Sequence, residues 1–176
     1  MNMTHYMELL ATNQPWNLIL FMAIPVVLAE TVAITELYIL YTRRLHGWVR
    51  NLNRLAGVIV GLYFVGIIAY LLVNAVMPIT RAGEWRTIID VIAVSTYLIG
   101  GIPMILIALQ DLGLLHKAAS EEKKLGYHAI YVAVFLVFAH LAMIAGMMDP
   151  ALLGYQGDMV HDMPADSSPA HSMHSR

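Results

Sequence analysis

The donor atoms that could do chemistry in this chain fall into two groups. The first is the run "GDMVHDMPADSSPAHSMHSR", in which Met159, His161, Met163, His171, Met173 and His174 recur within a short polar stretch. Met1, Met3, His5 and Met7 form a smaller set at the N-terminus. Thioether and imidazole together suit Cu(I), while imidazole with the carboxylates of Asp158 and Asp162 suits Cu(II), Ni(II) or Zn(II). Methionine is ordinarily a core filler, the role expected of Met22, Met77, Met104 and Met143. A polar segment offers no core to fill, so methionine recurring beside histidine points there to a copper ligand. Met147, Met148 and Asp149 join this tail to the last apolar run. The signal is one of composition, without the set spacing of a thiolate motif. Cysteine is absent, which excludes disulfides, thiolate zinc sites and cysteine nucleophiles.

The second group is ionisable residues inside apolar runs. The stretch "VVLAETVAITELYIL" holds Glu30 and Glu36, and Asn74, Asp90 and His140 lie in or beside later runs. A charge at bilayer depth costs about 2.5–3.5 kcal/mol on insertion scales, so such residues usually face the bundle interior and mark function. Counting from span midpoints puts Glu30 and His140 at a similar depth, which predicts a shared pocket holding a proton or an ion. Asn74 and Asp90 are expected to meet nearer the outer face. Six residues turn Glu36 by about 240° from Glu30, so the two carboxylates serve different neighbours. Bis-histidine haem is disfavoured because only His140 lies deep in a span, and a His/Met pair would need Met22, Met104 or Met143 at its level.

Elements that can hold these groups are legible in the composition. Of 176 residues, 59% are hydrophobic and 12% charged, and the mean hydropathy is +0.67. That balance is a membrane protein's. Four runs are long enough to span, near Trp16–Tyr41, Leu55–Met77, Ile88–Leu109 and His128–Met148. Pro25 and Pro103 should kink the first and third, since each removes a backbone donor. The fold class expected is therefore an all-α integral membrane protein. Its parts are an interfacial segment over 1–15, a four-transmembrane-helix bundle over 16–149 and a flexible Met/His-rich tail over 150–176. Gly57 and Gly61, four apart, let helices approach closely, within the bundle or against a homo-oligomeric partner or larger membrane complex.

Arg43, Arg44, Arg50 and Arg54 follow the first run, and Lys117, Lys123 and Lys124 precede the fourth. Bases gather on the cytoplasmic side, which puts both termini in the periplasm of a bacterial inner membrane. The stretch "HKAASEEKK" reads as a solvated loop with local helical character. No catalytic motif occurs: there is no Gly-x-Ser-x-Gly, no phosphate-cradling loop and no His-Glu-x-x-His. Nothing suggests nucleic-acid binding. The functional expectation is a membrane protein that binds a transition metal, copper first, at its outer face for homeostasis, transfer or transport. The alternatives are a proton or small-solute permease and an accessory subunit of a larger complex.

Overall fold

Capping residues set the helix starts. Thr4 opens a short helix, α1 (His5–Ala11), its Oγ1 accepting from the Met7 N–H. Ser120 opens α5 (Glu121–Met147) in the same way through Lys123, with Glu121 and Glu122 in the first turn against the positive end of the helix dipole. Between them run α2 (Trp16–Thr42), α3 (Trp48–Ala82) and α4 (Ile88–Asp111). The computed structural model describes residues 4–149, and no strand occurs among them. Each of α2 to α5 is long and apolar enough to cross a membrane, so the chain is an all-α, multi-pass membrane bundle in contact with lipid.

Two spans begin earlier than their apolar runs. α3 starts at Trp48 and carries Arg50, Asn53 and Arg54 in its first two turns, and α5 starts seven residues before His128. Hydropathy counts these polar turns as loop, yet the helices continue through them. The "HKAASEEKK" stretch is accordingly half loop and half first turn of α5.

Prolines shape α2 and α3. A π-helical turn, Ile19–Ala23, precedes Pro25, and another, Leu72–Val76, precedes Pro78. Proline has no N–H to give the carbonyl four residues back, so the helix widens and frees carbonyls. The Phe21 carbonyl, in that position relative to Pro25, accepts from the Tyr97 hydroxyl at 2.8 Å, and Leu20 O accepts from Tyr63 at 3.0 Å. The two half-buried tyrosines thus serve the helix wall of α2.

The four spans form a ring in which each packs on its sequence neighbour and α2 closes against α5. Gly57 and Gly61 form the α3–α4 seam inside the bundle. A methyl at Gly61 would lie 2.3 Å from Ala108 Cβ and 2.6 Å from the Met104 carbonyl. The centre is apolar, built from Val32, Val60, Phe64, Met104, Ile107 and Phe135. A second cluster at the far end takes in Leu10 of α1, with Phe21, Ile67, Leu71, Ile89 and Ala145. α1 is therefore docked onto the bundle end as well as lying at its edge.

Candidate functional site

Three helices converge on one histidine. On α2 the buried positions Pro25, Ala29, Val32, Glu36 and Ile39 recur at three- and four-residue steps, so Glu36 belongs to the stripe that faces inward. On α5 the stripe Leu125, His128, Val132 and Phe135 does the same. Asp111 is the last residue of α4 and is also buried. His128 is fully enclosed. Its Nε2 lies 3.1 Å from Asp111 Oδ2, and its Nδ1 lies 2.7 Å from Glu36 Oε2. The first contact is an aligned hydrogen bond. The second lies off the hydrogen-bonding direction, so that Nδ1 and both Glu36 oxygens lack an aligned partner despite the short distance.

Counting protons shows what this arrangement can do. A neutral imidazole has one N–H, enough for one of the two contacts. Filling both contacts with protons takes a second proton, on the ring or on a carboxyl. With two protons the triad would carry a net charge of minus one. Losing the second proton would leave two uncompensated buried carboxylates, and gaining a third would neutralise the group. Each change alters the charge of a dry site. The carboxylates approach opposite ring nitrogens, a spacing for protons. Among the described residues no set of three or more His, Asp or Glu is arranged to hold a metal ion.

Neighbouring groups position the triad. Asn53 Nδ2 donates to Thr35 Oγ1 at 2.9 Å and to Val32 O at 3.2 Å, tying α3 to α2 one turn from Glu36. Arg50 donates to Asn53 Oδ1, and Arg54 Nε donates to the Asp111 carbonyl at 2.7 Å. These arginines bring positive charge to the same end of the bundle. Gly57 makes room for the acid: a methyl there would lie 2.3 Å from Asp111 Oδ2.

A second polar centre sits at the opposite end. Asp90, fully buried in the first turn of α4, accepts from the His5 backbone N–H at 2.7 Å and pairs with the His5 ring through Nδ1. Thr4 donates to Gly146 O at 2.8 Å, and Arg86 pairs with Glu8 at 2.5 Å. Together these contacts latch α1 across the ends of α4 and α5.

The expected pocket of Glu30 and His140 does not form. Both residues face outward, and His140 Nδ1 bonds the Leu136 carbonyl of its own helix at 2.6 Å. Taking the Glu36–His128 contact as a ruler, Glu30 lies about 9 Å and His140 about 18 Å further toward the α1 end. The similar depth expected from midpoints fails because α5 starts before His128. Asn74 does not meet Asp90 either; it faces outward and donates to Tyr70 O, while Asp90 has His5. Ser95 and Thr96 bond carbonyls of their own helix. Glu36 alone of the expected interior carboxylates reaches the His128 triad, and Asp90 serves the α1 latch. His128 and Asp111 were missed because they stand at the edges of apolar runs, though His128 does lie on the inward stripe. His5 is engaged by Asp90, and Met7 packs on the outer cluster. Met1, Met3, Met159, His161, Met163, His171, Met173 and His174 lie outside the described residues.

The model of one family, described as a family of unknown function (DUF6803), matches residues 1–162. No curated protein and no solved structure matches the chain.

Proposed function

We propose that this chain, which belongs to the DUF6803 family, is a proton-binding membrane protein, a proton-coupled permease whose exchangeable proton is held by Glu36, His128 and Asp111. The observation that carries this reading is His128, enclosed between carboxylates from two other helices. Apolar residues of similar volume would join the same helices at no greater cost, so three ionisable groups kept at depth favour chemistry over adhesion. Glu36 lies six residues from the end of α2, about 9 Å from the basic end of the bundle. The proton therefore exchanges with the side that holds Arg43, Arg44, Arg50, Arg54, Lys117, Lys123 and Lys124, the cytoplasm of a bacterial cell by the positive-inside rule. Both termini would then be periplasmic. Val60, Phe64, Met104 and Ile107 separate the triad from the Asp90 latch with apolar surface. That plug argues against an open pore and for uptake coupled to helix movement.

The test is proton uptake by the full chain in liposomes, followed with an enclosed pH dye under an imposed membrane potential, beside infrared titration of the carboxyl groups. Uptake that is lost in Glu36→Gln and His128→Gln but kept in Glu30→Gln supports the proposal, as does a titrating carboxylic-acid band that disappears in Glu36→Gln. Uptake unchanged in both triad variants, or no titrating carboxyl in the wild type, refutes it.

A second reading rests on the density of methionine and histidine beyond residue 155: capture of copper by the tail on the side that carries α1. His5 and Met7 are committed to the bundle, so capture falls on Met159, His161, Met163, His171, Met173 and His174. The family match ends at residue 162 and takes in only the first two of these. Copper bound stoichiometrically by the full chain and lost in a chain ending at Tyr155 supports the reading. Equal binding by both chains, or none by either, refutes it.

A further inference from the structure

Glu30 has the wrong surroundings for a monomer. It lies one residue from the middle of α2 and points away from the bundle. At 100° per residue it stands about 140° around the helix from the buried stripe, within the outward band formed by Val26, Val27, Ile34 and Leu37. No hydrogen bond or ion pair to it exists among the described residues. Lipid chains offer it neither donor nor acceptor, so an isolated copy leaves a carboxyl unsatisfied where water is absent.

We infer that α2 is the interface of a homodimer in which Glu30 pairs with Glu30 of a second copy across a two-fold axis. A carboxyl in its acid form carries one O–H donor and one free acceptor oxygen. Two such groups satisfy each other through a pair of reciprocal hydrogen bonds. A two-fold axis along the membrane normal brings identical residues together at identical depth, so the match in depth needs no further coincidence. Other candidates for the occupant fit less well. His140, the outward imidazole of α5, lies about 9 Å away in depth by the Glu36–His128 ruler. The Gly57–Gly61 seam is filled by α4 of the same chain and cannot serve a partner. The outward band on α2 flanks Glu30 with apolar side chains on both sides along the helix, which suits close packing of two copies at this position.

The absence of cysteine makes the test clean. In native membranes, Val27→Cys and Ile34→Cys, on the outward band of α2, are oxidised and run on gels, with Val137→Cys on the outward face of α5 as control. The dimer predicts a cross-linked species of twice the chain mass for the two α2 positions and not for α5. Adding Glu30→Leu to Ile34→Cys is expected to reduce the cross-linked fraction at least tenfold. Glu30→Gln, whose amide is also both donor and acceptor, is expected to retain it. Glu30→Leu tests pairing without a folding defect, because the residue touches no interior group, and its retained thermal unfolding in detergent checks this. A wild-type chain monomeric by light scattering in detergent, with the Val27→Cys and Ile34→Cys chains uncross-linked in membranes, overturns the inference. So does cross-linking that survives Glu30→Leu, or a Glu30-dependent adduct with a different protein.

Discussion

Replacing His128 by Leu is the sharpest perturbation of the triad. The imidazole supplies Asp111 with its 3.1 Å hydrogen bond and Glu36 with its 2.7 Å contact. Both acids are buried, and the Arg54 bond goes to the Asp111 carbonyl rather than to its carboxylate. Leucine strands both acids. Removing one member of a buried pair costs about 3–5 kcal/mol because the other charge is left unpaired. That is roughly two to four powers of ten in the folding equilibrium. Unfolding from mixed micelles by added SDS, followed by the fluorescence of the tryptophans and by circular dichroism, measures it. The decisive comparison is the triple variant Glu36→Leu, His128→Leu, Asp111→Asn, which removes the acids as well. Its stability is expected to return to within about 1 kcal/mol of the wild type, since a buried ionic group replaced whole is near neutral. Asn is chosen at 111 because the seam at Gly57 leaves little room for a larger group. A His128→Leu chain within about 0.5 kcal/mol of wild type, the range of an ordinary surface change, would refute the reasoning. So would a triple variant no more stable than the single one.

Gly61→Ala places a methyl 2.3 Å from Ala108 Cβ and 2.6 Å from Met104 O, atoms of a helix wall that cannot swing aside, so α3 must move off α4. The expected loss is about 1–3 kcal/mol in the same SDS titration, and an unchanged midpoint would show that the seam is loose. Asp90→Ala removes both bonds to His5. The expected result is faster amide hydrogen exchange across His5–Ala11 with protection of α2 to α5 kept, reflecting loss of a charge-assisted latch contributing about 1.5–3 kcal/mol. Unchanged exchange in α1 would assign its docking to Leu10 and its apolar neighbours.

Much of the architecture was written in the chain. Four long, unbroken apolar runs had to be helices, because a bilayer admits only helices and closed barrels, and barrel strands are short and alternate in polarity. The Gly57–Gly61 pair announced a close helix contact, and Pro25 announced a break in the wall of the first span. Hydropathy alone placed the start of α5 late, at His128, where the helix in fact begins after the Ser120 cap. What the linear order could not supply was azimuth. In water an apolar stripe reveals the buried face of a helix; in a membrane the lipid-facing side is equally apolar, and the period that would separate Glu36 from Glu30 vanishes from the hydropathy pattern. Only the packing of α2 against α3 and α5 turned one carboxylate toward His128 and the other toward lipid. The same holds for Asp90, whose partner His5 is 85 residues away, and for Asp111, whose partner stands on the next helix; both pairs were chosen by tertiary contact.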